Sequence, residues 1–357
     1  MLKNKPELTI NQEVYNHLSD EQSRDIYLKR LEYLNSGNQQ CFLSINERYS
    51  PKLAKTPEAI VLDYIKSLPK DKMVILYGAG MYGTKYAKLW KQQMGERLIG
   101  FCDMSLEKQN TEVYGIKIFS KQILSDYPKA LVIITLRDAE CVKNDLILQG
   151  ISKERIYEMP CGVLESEDQY FDEEIMHWNM DGEVFIDAGC FDLKTSLLFR
   201  SRIRIKKVYA LEPDQQNFEK CIKRKNETDF KEVELIQCGA WSRNEILSFS
   251  STGKIDASII RSRSEAGFQI TARAIDDIVG NDDVTFIKMD IEGAELEALR
   301  GSCKTIKKCR PKLAISIYHK PEDMYEIPLY ILGIDPTYKL YLRHYSNTDA
   351  ETVLYAV

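Results

Sequence analysis

A glycine-rich loop near residue 80 has a composition and spacing suited to a phosphate-containing ligand. Gly78, Gly80 and Gly83 form the pattern G-x-G-x-x-G between a predicted strand and a predicted helix, and Asp103 ends the next predicted strand. Such glycines permit a tight turn and a close approach of the backbone to a phosphate, while the acid can accept hydrogen bonds from a ribose. The pattern predicts a nucleotide or nucleotide-sugar loop, although a Rossmann-like module also needs glycines in this turn for packing alone.

A second loop combines a glycine with acids in a way that suits an adenosine-containing ligand. Asp187 and Gly189 close one predicted strand, and Glu212 ends the strand that follows it. A small residue in the turn lets the ligand approach the backbone, and the carboxylate can accept hydrogen bonds from two ribose hydroxyls. The loop lacks the Lys-Ser/Thr pair of a phosphate cradle, so the ligand need not carry phosphates. S-adenosylmethionine meets this description.

Further residues are candidates for acting on an acceptor in the same crevice. Asp290, Glu292 and Glu295 cluster where a predicted strand enters its helix, and His319 ends the next predicted strand. Ligands bind at the carboxyl ends of parallel strands, and a histidine that titrates near neutrality is a competent general base. The acids also have a structural explanation, because carboxylates at a helix N-terminus complement the helix dipole. His344, in a terminal strand, is interpreted as a packing or acceptor-side residue.

The elements that must position these residues follow from the hydrophobic pattern. Short apolar strands alternate with helical segments, which predicts an α/β fold with a parallel, doubly wound sheet. The strands are predicted at 184–187, 207–212, 233–238, 285–290 and 312–319. Two last strands, at 337–346 and 351–357, are joined by only four residues. So short a link requires an antiparallel hairpin, and the sheet is predicted to contain one reversed strand.

The same pattern divides the chain into four predicted parts. Residues 1–66 contain few glycines and are predicted to be helical, with a structural role or a role in a homo-oligomer contact. Residues 67–160 alternate strand and helix around the first glycine loop and are predicted to form a smaller Rossmann-like domain. The acidic, irregular residues 161–180 are interpreted as a linker, and residues 181–357 as the domain of the second sheet.

Residues 286–301, with the sequence FIKMDIEGAELEALRG, resemble the FkbM family of S-adenosylmethionine-dependent methyltransferases. The segments 315–323, 343–346 and 351–356 carry the same resemblance, which covers residues 181–357. It implies a class I methyltransferase fold that binds S-adenosylmethionine.

The resemblance implies where the cofactor is bound. Asp187 and Gly189 would line its methionine end, Glu212 would hold the ribose, and Trp241 would pack on the adenine. The full set of implied cofactor-binding residues is Asp187, Gly189, Cys190, Glu212, Pro213, Gly239, Ala240, Trp241 and Asp290. The candidate catalytic residues are His319, Asp290 and Glu292.

The first sheet domain has a resemblance of its own. Residues 67–160 are similar to the small Rossmann-like domain that precedes some bacterial sugar-modifying enzymes. The matching residues are the loop 78–83, the segment 100–103 and the pair Gly115-Ile116. In that class the pocket holds a sugar nucleotide or has no chemical role.

Position 193 departs from the family pattern, which usually has a second glycine four residues after the first. Leu193 stands there, and leucine tolerates a positive φ poorly. The loop is therefore predicted to bend differently, or the cofactor to sit slightly away from it. This departure suggests an alternative, namely a binding or scaffold protein whose cofactor site is degenerate.

The composition excludes several classes of protein. The 357 residues are 44% hydrophobic and 29% charged with a net charge of −5, which gives no global basic field for nucleic acid. Nine dispersed cysteines without a C-x-x-C pair argue against a disulfide framework and a zinc site, and Asp290, Glu292 and His319 have no dedicated metal-ligand spacing. We therefore predict no metal site. With no signal-peptide pattern or membrane-spanning run, the sequence predicts a cytoplasmic protein.

These observations predict an S-adenosylmethionine-dependent methyltransferase that acts on a hydroxyl of a sugar, nucleotide-sugar or glycan. The acceptor class depends on the family resemblance and on the similarity of the first domain to those of sugar-modifying enzymes. N-methylation of an amino sugar or of a glycan-linked amine is the first alternative, and the scaffold protein is the second. A nicotinamide-dependent oxidoreductase that uses the first glycine loop is a third.

Overall fold

The computed structural model describes residues 7–136, 139–249 and 268–357. The chain forms two compact units, of which the larger combines Met1–Leu53 with Glu165–Val357 and the smaller is Ala54–Leu164. The smaller unit is therefore inserted into the sequence of the larger one. This division differs from the four predicted parts, because the first helices group with the second sheet and do not form a segment of their own.

The smaller unit contains a mostly parallel sheet of six described strands. They are β1 (Val74–Tyr77), β2 (Leu98–Cys102), β3 (Glu112–Val113), β4 (Ile116–Phe119), β5 (Leu131–Ile134) and β6 (Ile156–Glu158). Their order is β3-β4-β2-β1-β5-β6, and among these pairs only β3 and β4 are antiparallel. The described helices are Pro57–Ser67, Met81–Lys85, Ala87–Met94, Ile123–Asp126 and Ala139–Leu148. The first glycine loop thus follows the central strand, as in a Rossmann-like domain.

The larger unit contains the second sheet. Its described strands are β7 (Glu183–Ala188), β8 (Ile205–Leu211), β9 (Val233–Ile236), β10 (Gly239–Ala240), β11 (Glu245–Phe249), β12 (Phe268–Arg273), β13 (Phe286–Met289), β14 (Lys312–Ser316), β15 (Leu340–His344) and β16 (Thr352–Ala356). Seven of them form a sheet in the order β15-β16-β14-β13-β7-β8-β9, in which β16 runs antiparallel to both neighbours. The other three form a small sheet, β10-β12-β11. The predicted α/β fold, a parallel sheet with one reversed strand, is confirmed.

The strand order reverses at β7. The chain passes from β7 to β8 and β9 on one side and returns to β13 and β14 on the other. Ligands bind at such a switch point, outside the carboxyl ends of the strands. The described helices of this unit are Glu7–His17, Glu21–Ser36, Gln40–Tyr49, Lys194–Arg202, Gln215–Glu227, Ile275–Val279, Glu295–Arg300, Cys303–Cys309 and Asp323–Ile334.

Alternating side chains on the parallel strands build two apolar cores, one on each face of the larger sheet. Ile186 and Ile287 belong to one core, whereas their neighbours Phe185 and Phe286 belong to the other. The rings of Phe185 and Phe286 stack with their centroids 4.8 Å apart. Burial on both faces is typical of parallel strands joined by helical crossovers, and it holds the strand ends in a fixed register.

The first three helices pack against the terminal hairpin of the same unit. Their side chains Val14, Ile26 and Phe42 lie in one of the two cores. Ser23 Oγ accepts a 2.8 Å hydrogen bond from the backbone N–H of Leu342 in β15. These contacts give the helices a structural role within one chain.

Residues 161–180 were predicted to be a linker. From Glu165 onward, however, this segment belongs to the larger unit. Four of its apolar side chains are buried in one core, namely Tyr170, Phe171, Ile175 and Met176. Six of the twenty residues of this segment are acidic, and its apolar residues follow neither a helical nor a strand period. Packing is decided by those apolar residues, so composition alone misrepresents the segment.

Leu193 adopts the left-handed conformation, whereas the loop was predicted to bend differently at this residue. Its φ is +68° and its ψ is 5°, and it directly precedes the helix Lys194–Arg202. This backbone conformation costs a non-glycine residue about 1–2 kcal/mol. The Leu193 side chain has no exposed surface and lies in the same core as Phe199, and burial of a leucine offsets that cost. The backbone of the loop therefore has the conformation that a glycine favours, although the residue is leucine.

We expect the usual stability order of alanine and glycine variants to be reversed at this position. Leu193→Ala loses the buried side chain, at about 3–5 kcal/mol, and retains the backbone strain. Leu193→Gly loses the same side chain but relieves the strain, so it should be at least as stable as Leu193→Ala in urea unfolding. The matched control is Leu299, which is buried within the helix Glu295–Arg300. There the glycine variant should be less stable than the alanine variant by about 1 kcal/mol. The same order at both positions would contradict the strained conformation of Leu193.

Candidate active site

The loops that follow β7 and β13 meet at the switch point of the larger sheet. Gly189 has a φ of +79°, and a Cβ atom at this position would lie 2.0 Å from the backbone oxygen of Asp290. No side chain fits that space, so glycine is required for the two loops to touch. The contact brings the predicted cofactor loop and the predicted catalytic acid to the same edge of the sheet.

A buried ion pair supports the loop that contains Gly189. Lys288 Nζ lies 2.9 Å from Asp187 Oδ1, and the two side chains are 4% and 0% exposed. Lys288 also donates a 2.8 Å hydrogen bond to the Gly189 backbone oxygen, and Ser196 Oγ donates a 2.6 Å bond to Asp187 Oδ2. Burial alone would lower the pKa of Lys288, but the charges of Asp187 and Asp290 raise it. Both oxygens of Asp187 thus have protein partners, and the residue holds the loop in place.

Glu212 follows the last residue of β8 and faces the same loop. Its two oxygens accept backbone hydrogen bonds from Phe191, at 3.0 Å, and from Asp214, at 2.9 Å. Burial raises the pKa of the Glu212 carboxyl to about 7, against the lowering effect of these two bonds and of the Lys288 charge. Each carboxylate oxygen has a second lone pair, so Glu212 retains capacity for further donors. Pro213 continues the chain from this carboxylate.

The chain after β9 carries the residues that the resemblance assigns to the adenine. Gly239 and Ala240 form β10, and a Cβ atom at Gly239 would lie 3.9 Å from Pro213. The indole N–H of Trp241 donates a 2.7 Å hydrogen bond to Glu245. This bond fixes the orientation of the Trp241 ring. Pro213 and Gly239 thus lie close together, although they follow different strands of the sheet.

Asp290 is held by two phenols at the end of β13. Tyr170 donates a 2.9 Å hydrogen bond to Asp290 Oδ2, and Tyr318 donates a 3.2 Å bond to Oδ1. Tyr318 also bonds Glu351 at 3.3 Å, and Gln169 donates to the other oxygen of Glu351. Burial and the charge of Asp290 raise the pKa of Glu351 to about 7. The cluster therefore holds two carboxyl groups bridged by one phenol.

His319 lies between three carboxylates. Its Nδ1 is 2.9 Å from Glu295 Oε1, and its Nε2 is 3.5 Å from both Asp290 Oδ1 and Glu292 Oε2. Burial lowers the pKa of His319, but the ion pair with Glu295 and the charges of Asp290 and Glu292 raise it to about 9. The ring is therefore protonated at neutral pH, whereas a base titrating near neutrality was predicted. Its position also differs, because β14 ends at Ser316 and His319 lies on the following loop.

Sequence reasoning missed several residues of this cluster. Tyr318 and Glu351 lie within the segments that resemble the family, and Tyr318 directly precedes His319, which is the one signal that pointed to it. Tyr170 and Gln169 come from the irregular acidic segment and had no spacing signal. His344 is buried, stacks on Phe42 and bonds Thr352 at 2.8 Å. Burial lowers the pKa of His344 to about 3, so its packing interpretation fits the structure.

The first glycine loop has internal partners in the smaller unit. A Cβ atom at Gly83 would lie 2.0 Å from the backbone oxygen of Gly78, so this glycine serves packing. Asp103 accepts hydrogen bonds from the backbone N–H groups of Ala79, at 2.7 Å, and Ser105, at 2.9 Å. Gly80 has open space where a side chain would stand. These contacts within the unit hold the turn in place, and the nucleotide role of the loop stays a prediction.

Two cavities lie at the opposite edge of the larger sheet. Their volumes are about 290 and about 540 Å³, and both are lined by Thr285, which directly precedes β13. Ligands of open α/β sheets bind at the carboxyl ends of the strands. These cavities therefore lie away from the candidate site.

None of the described helices combines the length and the apolar composition that crossing a bilayer requires.

Residues 190–340 match the family model of the methyltransferase FkbM domain. No curated protein sequence matches the chain.

Several solved structures are similar to it, including methyltransferase FkbM from Methylobacillus flagellatus KT, with 21% identity and a TM-score of 0.46 over 90% of this chain and 100% of that one. An rRNA methylase from Streptococcus thermophilus shows 17% identity and a TM-score of 0.34 over 51% of this chain and 88% of that one. A SAM-dependent methyltransferase from Aquifex aeolicus shows 16% identity and a TM-score of 0.32 over 53% of this chain and 88% of that one.

The three structural likenesses combine low sequence identity with low TM-scores, so the assignment depends on the family model. That model begins at Cys190 and ends at Leu340, and it includes Glu212, Asp290 and His319. Residues 190–340 form a domain of the methyltransferase FkbM family, and the chain that carries it is a methyltransferase.

Proposed function

We propose that this protein transfers a methyl group from S-adenosylmethionine to a hydroxyl of a sugar, nucleotide-sugar or glycan. The observation that carries the proposal is the contact between Gly189 and Asp290, where a Cβ atom would have only 2.0 Å of space. It joins a loop suited to the cofactor with a cluster of acids suited to the acceptor. Reacting groups must lie in contact for an in-line displacement, and these two loops do.

The residues on the cofactor side fit an adenosine-containing ligand. Glu212 is a buried carboxylate whose oxygens are already oriented by two backbone N–H groups, and a ribose can donate two hydroxyls to it. When bound, S-adenosylmethionine supplies a methyl carbon that its sulfonium charge activates. A lone pair of the acceptor attacks this carbon, and the bond between the carbon and sulfur breaks. We propose that Glu212 holds the ribose, that Gly189 and Cys190 border the methionine end, and that Trp241 packs beside the adenine.

We propose that Asp290, Glu292 and His319 face the acceptor. Carboxylates and phenols are suited to a ligand rich in hydroxyls, because they accept and donate hydrogen bonds in fixed directions. Asp290 is oriented by Tyr170 and Tyr318. A hydroxyl acceptor must lose its proton as the new carbon–oxygen bond forms, and a positioned base assists this step.

One alternative is favoured by a specific observation. Asp290, Glu292 and Glu351 give this edge a negative charge that also suits an amine, so N-methylation of an amino sugar is the second candidate. The scaffold alternative started from Leu193, whose φ of +68° keeps the loop in a glycine-like course. That conformation supports a retained cofactor loop.

We expect the affinity for S-adenosylhomocysteine to fall as the pH drops below about 7, the pKa of Glu212. Protonation removes the charge that accepts the ribose hydroxyls, so Kd should rise by up to about tenfold for each pH unit below that pKa. At about pH 8, Glu212→Gln should weaken binding by about 1–3 kcal/mol and remove this pH dependence. Titration calorimetry between about pH 6 and pH 8 measures both effects.

The matched control is Glu219→Gln. Glu219 lies on the helix that follows Glu212, and the hydrogen bond described for its side chain comes from the exposed Gln215. This variant should bind with the affinity and pH dependence of the wild type. A wild-type Kd that is constant across the pH range, or an unchanged affinity in Glu212→Gln, would show that the ribose site is misassigned.

We expect Asp290→Asn and His319→Ala each to lower turnover by about 10²–10⁴-fold, because both groups face the acceptor and one of them assists proton removal. The affinity of His319→Ala for S-adenosylhomocysteine should stay within a few-fold of wild type, because His319 is proposed to face the acceptor alone, whereas Asp290 also belongs to the residues that the family resemblance implies for the cofactor. The assay follows S-adenosylhomocysteine release with a panel of nucleoside-diphosphate hexoses and their amino-sugar analogues. Comparison within the panel separates O-methylation from N-methylation.

The controls change the same residue types at the opposite edge of the sheet. Asp283 is exposed beside Lys308, and His177 is exposed beside a cavity at that edge. Asp283→Asn and His177→Ala should retain wild-type turnover. Full turnover in Asp290→Asn and His319→Ala would remove both residues from the acceptor side.

A further inference from the structure

Three side chains with metal-ligating atoms converge beside the Gly189 loop. Asp290 follows β13, His319 follows β14, and Glu295 is the first residue of the helix Glu295–Arg300. One ligand atom from each lies within 4.8 Å of the others. Asp290 is held by its two phenol partners, and Glu295 Oε1 accepts a 2.9 Å hydrogen bond from the backbone N–H of Ile291. The protein itself therefore orients the carboxylates of Asp290 and Glu295.

Buried polar atoms in this cluster have unfilled bonding capacity. Glu295 has no exposed surface, yet its Oε2 has no hydrogen-bond partner in the described part of the chain. The His319 side chain is 9% exposed, and neither of its ring nitrogens makes a hydrogen bond there, although Nδ1 lies 2.9 Å from Glu295. A buried polar atom without a partner costs about 1–3 kcal/mol, and native structures contain few of them. Since Nδ1 is paired with Glu295, two buried atoms of the cluster, Glu295 Oε2 and His319 Nε2, remain to indicate a missing binding partner.

An ion pair within the protein accounts for only part of this arrangement. It explains the approach of His319 Nδ1 to Glu295 Oε1, but it leaves Oε2 of the same carboxylate and Nε2 of the same ring unbonded. A cation placed among the three residues would bind Glu295 Oε2 and His319 Nε2, which requires Nε2 to release its proton to water, while Nδ1 keeps its contact with Glu295 Oε1. Its ligands would be two carboxylates and one imidazole, with Glu292 Oε2 3.5 Å from the same ring nitrogen.

We propose that Asp290, Glu295 and His319 bind one divalent metal ion. The imidazole favours a first-row transition-metal ion over Mg²⁺ or Ca²⁺, which take oxygen ligands, and Mn²⁺ serves as the probe of that class because it also accepts carboxylates. Sequence spacing did not reveal the site, because the ligands come from two strand ends and a helix that are separated in the chain.

The proposed ion has a consequence for the reaction, which rests on the proposed function. Three protein ligands leave coordination positions open, and an acceptor hydroxyl can occupy one of them. Bound to a divalent ion, that hydroxyl is more acidic, and its proton passes to water while the oxygen lone pair is freed for the displacement. Two adjacent hydroxyls of one sugar can occupy two open positions, which would orient the acceptor next to Gly189.

The test measures metal binding directly, on the full chain freed of metal by a chelator and without any acceptor. Addition of Mn²⁺ should give one saturable site per chain, seen as loss of the electron paramagnetic resonance signal of the free ion. It should also raise the unfolding temperature, because a ligand that binds the native state stabilises it. Glu295→Gln and His319→Ala should each lower the Mn²⁺ affinity by about tenfold or more.

Two control variants isolate the site. Glu297 lies on the same helix and pairs with Arg300, and His177 lies at the opposite edge of the sheet. Glu297→Gln and His177→Ala should bind Mn²⁺ as the wild type does. Circular dichroism melts without metal check that all four variants are folded. If Glu295→Gln or His319→Ala is unfolded, the wild-type titration alone decides.

The outcomes separate this inference from the proposed function. No saturable Mn²⁺ binding by the wild type, or equal binding by folded Glu295→Gln and His319→Ala, would overturn the metal site. Calorimetry with S-adenosylhomocysteine on the same metal-free protein tests the cofactor site independently. Cofactor binding without Mn²⁺ binding would refute only the metal site. Mn²⁺ binding without cofactor binding would refute the cofactor assignment and leave the metal site standing.

Discussion

The ion pair between Asp187 and Lys288 is the interaction on which the site depends. The two residues are register partners on the adjacent strands β7 and β13, and both are withdrawn from water. Removal of one partner from a buried pair leaves an uncompensated charge, at about 3–5 kcal/mol. Lys288 reaches past Asp187 to the Gly189 backbone oxygen, so the same charge that joins the strands also fixes the loop above them. The position of that loop in turn determines where Asp290 can lie.

The edge of the sheet is divided electrostatically into two halves. On the side of β8, Glu212 is a single buried carboxylate that is surrounded by backbone N–H groups. On the side of β14, four carboxyl groups gather around one histidine and two phenols. The first environment suits a neutral donor such as a ribose hydroxyl, and the second suits a positive charge. S-adenosylmethionine combines both properties, because its adenosine is neutral and its sulfonium is positive.

The sheet of the larger unit could be predicted from the sequence, because apolar strands, glycine turns and acidic strand ends follow short-range rules. The hairpin was predictable from a link of four residues. The surroundings of His319 and Asp290 were not, since Glu295 approaches the His319 ring while Tyr170 and Tyr318 approach Asp290 from other parts of the chain. Burial lowers the pKa of His319, and the carboxylates of Glu295, Asp290 and Glu292 raise it, so the position of the residue at a strand end does not determine it. Tyr170 was missed for a different reason, because the acids around it pointed to a linker, whereas four apolar side chains of that segment are buried in a core.

The insertion of one unit into the other also sets the order in which the chain can be completed during synthesis. Asn46 donates a hydrogen bond to the backbone oxygen of Ser346, which lies 300 residues further along the chain. At ribosomal rates of about 5–20 residues per second, Asn46 waits roughly 15–60 s for this partner. The strands of the smaller unit are all synthesised within that interval. The smaller unit can therefore fold first, while the apolar side chains of the first helices still lack the partners that the later part of the larger unit supplies.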